Sequence, residues 1–177
     1  MADSGQNTES INLQPGEIYF SESPAVITTI LGSCLGITMF SRQRKKGAIA
    51  HPMLPKCPSM DRCTADCAEK GKYVDCSIKE LFAAMATEAT LKKDVEIKIF
   101  GGSDMFQNSV DREKALTVGR QNIRAAETIL SSSGINILAS DTGGSSGRKI
   151  LFFSHTGEVY LKRLVRQDTP EMKENPH

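Results

Sequence analysis

The sequence predicts an α+β protein, a layered sandwich of mixed β-sheet that carries two main helices. Short β-branched or apolar runs dominate the N-terminal part of the chain, two later segments have helical periodicity, and strand-like segments follow each of them. The long opening of strands alone argues against a doubly wound sheet, in which strands and helices alternate regularly.

The predicted strands are short runs that Gly, Pro and charged turn residues separate. In the first part of the chain they are EIYFS, AVITTI, LGITMFS and AIAHPML, and in the second part VEIKIF, INILAS, KILFFS and EVYLKRLV. The last two are predicted to form a hairpin around the turn HTG.

Two segments have the period of an amphipathic helix. The first carries apolar residues at steps of three and four, namely Ile78, Leu81, Phe82, Met85 and Ala89. Ser77 and Glu80 are predicted to form a capping box at its start. The second helix is predicted from about Val118 to Ser132, with Gly134 as the left-handed residue that ends it.

The chain of 177 residues is long enough for one domain with a substantial core. Residues 1–13 and 167–177 are polar and lack periodicity, so we expect both to be loose tails around a single domain at 14–166. Within that domain, residues 56–72 form a cysteine-rich segment that we expect to be a flexible insertion.

Charge and hydropathy exclude several classes of function. The 22 basic and 21 acidic residues nearly cancel, so the chain has no strong field to attract nucleic acid or anionic lipid. The polar, acidic start is unlike an export signal, and no later run is long enough to span a bilayer. We therefore expect a cytoplasmic protein, in which the five cysteines are reduced by default.

One cysteine lies at a predicted strand break. Gly32 and Ser33 interrupt the apolar runs directly before Cys34, and they let the backbone turn so that the sulfur is exposed and nearby N–H groups converge. A nucleophilic thiol needs exposure, backbone donors and a base. The best candidate base is His51, which lies in an apolar strand before a proline.

Ordinary structural roles remain open for both residues at this point. A histidine on an apolar strand is more often a core residue with a satisfied ring than a catalytic base, and a buried cysteine is more often a small hydrophobe. A Cys and a His in one sequence are weak support for a catalytic pair.

A series of motifs is more specific. TTILGSC and GAIAHPMLP are followed by GKYVD before a helix, IFGGSDMF after a strand, VGRQN at the start of a helix and DTGG after a later strand. In this order, from Glu17 to Val165, they resemble the CheD family of chemoreceptor glutamine deamidases. The resemblance implies a sandwich fold like that of a deamidating toxin domain.

The resemblance also implies catalytic roles. Cys34 corresponds to the family's nucleophile, His51 to its base, and Thr28, six residues before the cysteine, to the residue that orients the histidine. Thr29 is the competing choice for that third role, because adjacent side chains on a strand point to opposite faces.

The chemistry that these roles imply is deamidation of a glutamine side chain through a Cys34 thioester, with glutamyl methylesterase as a side activity. Backbone amides around Gly32 and Ser33 would stabilise the oxyanion. An imidazolium on His51 would lower the pKa of the Cys34 thiol. We expect no metal and no organic cofactor.

Two further loops have a structural and a functional interpretation. Gly101 and Gly102, with Phe106, form either a strand-to-loop turn or a surface that contacts the substrate or a partner, and the resemblance implies a CheC-type phosphatase as that partner. Asp141 and Thr142 either line the cleft or cap a turn.

The other four cysteines are Cys57, Cys63, Cys67 and Cys76. Their spacing lacks the C-x-x-C element of a zinc site, so free thiols in a flexible insertion are the expected state. The insertion follows His51, and one hypothesis is that it closes over the cleft.

Three functions of different classes are compatible with these residues. The first is a hydrolase that converts glutamines of chemoreceptor cytoplasmic helices to glutamate. The second is a non-catalytic chemotaxis adaptor that binds receptors or a CheC-type phosphatase, which would have no need of Cys34, His51 and Thr28. The third is a metal or redox sensor built on the cysteine cluster, which rests on the weakest spacing.

Overall fold

The α+β prediction is confirmed. A computed structural model describes residues 8–59, 67–85, 94–104 and 116–164, and these form nine strands and two α-helices. The elements lie in three layers: a four-stranded sheet, a five-stranded sheet packed against it, and the two helices on the far side of the larger sheet.

The four-stranded sheet has the strand order β1-β3-β8-β9. These strands are β1 (Glu9–Asn12), β3 (Ala25–Leu31), β8 (Arg148–Phe153) and β9 (Val159–Arg163). β3 pairs in parallel with β1 and antiparallel with β8, and β8 and β9 form the predicted antiparallel hairpin.

The five-stranded sheet has the strand order β2-β5-β4-β6-β7. These strands are β2 (Ile18–Phe20), β5 (Lys46–Ala50), β4 (Leu35–Ser41), β6 (Val95–Gly101) and β7 (Ile137–Thr142). β4 is the central strand and pairs antiparallel with both neighbours, while β6 and β7 are parallel. β3 and β4 belong to different sheets, so the chain crosses between the sheets at Gly32–Cys34.

The helices are α1 (Val74–Met85) and α2 (Val118–Ser132). α2 has the predicted bounds, and Thr117 caps it by accepting the N–H of Arg120. α1 begins before the predicted capping box, so Ser77 lies inside the helix, where it is buried.

Two apolar clusters hold the layers together. In the first cluster, the apolar faces of α1 and α2 pack on alternate residues of β4, β5 and β6. Its fully buried residues include Ile37, Leu81, Ile97 and Leu130. The second cluster fills the space between the sheets, with Ile27, Leu31, Ile49 and Phe152 at its centre. Alternation along each strand of the larger sheet supplies both clusters from one sequence.

The described part of the chain begins inside the predicted N-terminal tail. β1 lies within residues 1–13, and its backbone is paired with β3 along Glu9–Asn12. Leu13 continues this pairing by donating its N–H to the carbonyl of Thr28 (2.9 Å), and its side chain is buried. The ordered region therefore starts earlier than composition alone predicted. No helix among the described residues is long and apolar enough to cross a membrane.

Candidate active site

Cys34 lies where the chain passes from one sheet to the other. The residue is half-buried and lines a cleft of about 370 Å³. The other lining residues are Ser33, Met53, Leu54, Ser103, Asp104, Thr117, Val118 and Gly119. A volume near the lower end of ligand clefts, roughly 300 to 1,000 Å³, suits a single side chain rather than a large cofactor.

The Gly32–Cys34 loop is fixed through its carbonyl groups. The carbonyl of Gly32 accepts from the N–H and the hydroxyl of Ser103 (2.8 and 2.9 Å), and that of Cys34 accepts from the N–H of Gly102 (2.8 Å). The carbonyl of Ser33 accepts from the Asn122 side chain (3.0 Å). All three carbonyls are thereby committed to the protein.

Gly101 and Gly102 serve this loop through close packing. Both are buried with positive φ, and a Cβ on Gly101 would lie 2.3 Å from the carbonyl oxygen of Cys34. A Cβ on Gly102 would meet the side chain of Ile123 at 2.6 Å. The structure thus places these two glycines inside the molecule, which differs from the surface contact considered for them. Phe106 lies outside the described residues.

His51 is brought beside this strand end by the pairing of β4 with β5. The register pairs Ile37 with Ala50. Leu35 donates its N–H to the carbonyl of Pro52 (3.0 Å). Gly36 and His51 are therefore opposite each other between these two pairings. Gly36 faces the smaller sheet, since a Cβ there would touch Leu31 at 2.8 Å. Cys34 lies two residues before Gly36, so its backbone is at the diagonal position to His51 across these two strand ends.

The ring of His51 is buried between the sheets and held at one nitrogen. Its Nδ1 lies 2.8 Å from the hydroxyl oxygen of Thr29, and that hydroxyl donates its proton to the carbonyl of Leu13 at 2.8 Å. Because the hydroxyl has only one proton, Nδ1 must be the donor toward Thr29. This network assigns the tautomer with a free lone pair on Nε2.

Nε2 of His51 is buried and has no hydrogen-bond partner among the described residues. Leaving a buried acceptor unpaired costs stability, so such an atom calls for an explanation. Catalytic hydrogen bonds are often long before substrate binds. An uncommitted basic nitrogen at the strand end that carries a thiol is suited to accept that thiol's proton.

Thr29 makes the contact that the resemblance assigned to Thr28. Alternate residues of β3 point between the sheets, and Thr29 is buried on that face with Ile27 and Leu31. Thr28 points to the opposite face of the smaller sheet, where its position pairs with Asn12 and Leu151. The hydroxyl that contacts His51 therefore lies five residues before Cys34, at a position that the alternation of the strand turns inward.

Burial governs both pKa values at the site. Desolvation raises the pKa of the Cys34 thiol, although hydrogen bonds from its own backbone N–H and from the side chain of Ser33 oppose the rise. Desolvation lowers the pKa of His51 from 6.5 to about 4, against the opposing influences of the Leu13 carbonyl and Glu17. A raised thiol pKa and a lowered imidazole pKa both favour the neutral form of each group at neutral pH, which differs from the imidazolium expected on His51.

Asp141 and Thr142 organise the loop that follows β7. The Asp141 carboxylate pairs with the buried Arg148 (2.6 Å) and with Arg163 (2.7 Å), and Thr142 is paired with Gly101 within the sheet. Neither residue lines the Cys34 cleft. Their position indicates a structural role in holding the Gly101 segment against the neighbouring strands.

The cysteine-rich segment is described in part. Cys57 and Cys76 are buried near the start of α1, where the Asp75 carboxylate accepts the N–H groups of both, and Cys67 is partly exposed. Cys63 lies outside the described residues. Within the described ranges, no group of three or more His, Cys, Asp or Glu side chains is arranged to hold a metal ion.

The chain belongs to the CheD family. Residues 53–163 match the family model described as CheD chemotactic sensory transduction. This match begins after Cys34 and His51, whose assignment therefore depends on the motifs and the geometry above.

Three CheD relatives are similar over most of their length. The chain is 38% identical over 158 residues to the probable chemoreceptor glutamine deamidase CheD 2 of Geobacter sulfurreducens, covering 89% of this chain and 92% of the relative. The corresponding proteins of Maridesulfovibrio salexigens (34% identical, 87% and 91% covered) and Pyrococcus abyssi (33% identical, 89% and 94% covered) carry the name probable chemoreceptor glutamine deamidase CheD.

The two adjacent threonines of this CheD chain provide a matched test. Thr29→Val removes the hydroxyl that holds Nδ1 but keeps the shape, and we expect deamidation to fall roughly tenfold to a hundredfold because the ring loses its orientation. Thr28→Val, on the opposite face, should change the rate less than about twofold. Steady-state kinetics on both variants checks this, and equal effects would contradict the assignment of the orienting role to Thr29.

Burial of the neutral His51 ring also predicts acid sensitivity. The unfolded chain takes up a proton near pH 6.5, whereas the folded ring resists protonation until about pH 4, so stability falls as the pH drops through this interval. The loss attributable to His51 should approach about 3 kcal/mol at pH 4. Urea unfolding at several pH values measures it. The decline should be shallower in His51→Gln by that amount, and identical pH slopes would refute the prediction.

Proposed function

We propose that this protein is a chemoreceptor glutamine deamidase that uses Cys34 as nucleophile and His51 as base. The observation that carries the proposal is the His51 ring, whose Nδ1 is held by Thr29 while its buried Nε2 is uncommitted beside the strand end of Cys34. The names of the CheD relatives support a glutamine of a chemoreceptor as the substrate.

The first step is attack on the carboxamide. His51 Nε2 takes the proton of the Cys34 thiol as the sulfur bonds to the side-chain carbonyl carbon of glutamine, and the carbonyl oxygen becomes an oxyanion. A neutral imidazole at pH 7, which the lowered pKa of His51 supports, is the form required for this proton transfer.

The oxyanion is stabilised by backbone N–H groups of the Gly32–Cys34 loop. Hydrogen bonds already commit the three carbonyls of this loop to Ser103, Gly102 and Asn122, which holds the loop in one conformation without using its N–H groups. Donors fixed before the reaction stabilise developing charge without reorganisation.

The remaining steps release ammonia and regenerate the thiol. The imidazolium of His51 gives its proton to the amide nitrogen, the carbon–nitrogen bond breaks, and a thioester to Cys34 remains. His51 then takes a proton from water, the hydroxide adds to the thioester, and the sulfur leaves and is reprotonated. The products are glutamate and ammonia. A glutamyl methyl ester offers the same acyl centre, so methylesterase activity belongs to the proposal.

The rim of the cleft fits a helical substrate. Met53 and Val118, which both line the Cys34 cleft, expose large apolar side chains (38% and 42%). Such residues suit the apolar stripe of a receptor helix that presents one glutamine between them. A CheC-type phosphatase is a further proposed partner, for which the Phe106 region outside the described residues is the candidate surface.

Mass spectrometry of a receptor cytoplasmic fragment tests the proposal. The purified protein should convert particular glutamines to glutamate, seen as the small gain in mass that replaces an amide by a carboxyl. Protein whose thiols have been alkylated beforehand should leave the fragment unchanged. Binding of receptor fragments without any conversion, across several receptors, would favour the adaptor and reject the enzyme.

A further inference from the structure

Asn122 joins the two strand ends of the active site. It lies in the first half of α2 and is fully buried, and its Nδ2 donates to the carbonyl of Ser33 (3.0 Å) and to the carbonyl of Met53 (2.9 Å). Ser33 directly precedes Cys34, and Met53 comes two residues after His51. One side-chain amide thus holds the backbone beside both reacting groups.

The position of this amide is informative, because the backbone ladder stops there. Among the described residues, the last backbone hydrogen bond between these two strand ends runs from the N–H of Leu35 to the carbonyl of Pro52. Beyond it, the carbonyls of Ser33 and Met53 have no strand donor, and Asn122 supplies one proton to each. The Asn122 side-chain amide thus replaces the backbone hydrogen bonds between these two strands at the point where the chain at Cys34 crosses to the other sheet.

We propose that Asn122 is a positioning residue that sets the separation of Cys34 and His51; its catalytic meaning rests on the proposed deamidase function. Both partners are carbonyls, so only the NH₂ side of the amide can face them. This orientation leaves Oδ1 buried without a hydrogen-bond partner in the described part of the chain. The two hydrogen bonds from Nδ2 offset the cost of leaving the buried Oδ1 without a donor.

Helix α2 gives the clamp a rigid base. Its first turn packs directly on the Gly102 segment, since a Cβ on Gly119 would lie 2.5 Å from the carbonyl oxygen of Gly102. The same segment fixes the Cys34 carbonyl through the Gly102 N–H. The loop is therefore held from two directions, and a shift of about 1 Å at the clamp would cost on the order of a hundredfold in rate.

The variant Asn122→Leu keeps the size of the side chain and removes both donors. Its control is Ala126→Gly, which weakens the same helix at a buried position away from the cleft. We expect kcat for receptor deamidation to fall about a hundredfold in Asn122→Leu with KM nearly unchanged. Ala126→Gly should lower the thermal unfolding midpoint while its kcat stays near that of the unmodified protein.

The pH dependence of Cys34 alkylation by iodoacetamide is the second readout, and it needs no receptor. A loosened loop exposes the sulfur to water, so the midpoint should move to lower pH in Asn122→Leu and stay in place in Ala126→Gly. Asp104 is the charged residue on the cleft lining, Glu17 influences His51, and neither bonds to Asn122. Neither substitution adds or removes a charge, so the same charged groups surround the thiol in Asn122→Leu, in Ala126→Gly and in the unmodified protein.

Matching kcat values and matching alkylation midpoints in the two variants would overturn the proposal. If the unmodified protein deamidates no receptor, the proposed function fails. The alkylation midpoints then still test whether Asn122 holds the Cys34 loop in position. If Asn122→Leu does not fold, hydrogen exchange of the Asn122 side-chain amide in the unmodified protein decides it. Slow exchange that changes when Cys34 is alkylated is the expected result, and exchange as fast as in an exposed amide would refute the clamp.

Discussion

Cys34→Ala should abolish receptor deamidation, lowering the rate by at least about a thousandfold, because no other group in the mechanism can form the acyl intermediate. The substitution removes one half-buried sulfur at the mouth of a cleft, so we expect the thermal unfolding midpoint to stay within a few degrees. The measurement is the rate of glutamine conversion in a receptor fragment, followed by mass spectrometry.

A second cysteine provides the matched control for this substitution. Cys67 is also partly exposed, but it does not line the Cys34 cleft, so Cys67→Ala should retain the full rate. Conversion that persists in Cys34→Ala would remove the residue from the mechanism. Loss of activity in Cys67→Ala alone would instead favour a function centred on the cysteine-rich segment.

The sequence predicted those features that depend on local pattern. The apolar stripe and Gly134 predicted the bounds of α2, because helical periodicity and a terminating glycine are both local features of the sequence. The break at Gly32–Cys34 was also readable, since Gly and Ser interrupt two apolar runs. The sequence did not show that this break is a crossover between two sheets, because sheet membership depends on pairing with strands that are distant in sequence.

The residues around the base show the limit of local pattern most clearly. A choice between Thr28 and Thr29 turns on which face of β3 points inward, and the neighbouring strands decide that face. Leu13 lay in a segment with no periodicity, yet its carbonyl accepts the Thr29 proton and so helps to fix the ring of His51. Only the parallel pairing of β1 with β3 brings it there.

The charge state of the site was also beyond the reach of the sequence. A cysteine beside a histidine suggests a thiolate–imidazolium pair, but that pair needs solvent or hydrogen bonds to support two charges. Here the ring is enclosed between two sheets and the thiol is partly enclosed as well, so burial raises one pKa and lowers the other. The number of atoms that surround a group cannot be read from its neighbours in sequence.

His51→Gln is expected to have the second large effect on the deamidation rate, because a neutral His51 would act as the general base. Glutamine is of similar size and can still bond to Thr29, but it has no basic nitrogen, so deamidation should fall on the order of a thousandfold. The pH midpoint of Cys34 alkylation should move little, because burial is the largest cause of the raised thiol pKa and His51 carries no charge above about pH 4. Rate measurements and alkylation profiles on the same preparation test both expectations.

The combination of the two results separates a general base from an ion pair. If His51 acted as a permanent imidazolium, its removal would raise the alkylation midpoint strongly, together with the loss of activity. His155→Gln, which replaces a histidine in the turn between β8 and β9, should alter neither quantity. A large upward move of the midpoint in His51→Gln would therefore contradict the neutral pair and require that the thiol be ionised before the substrate arrives.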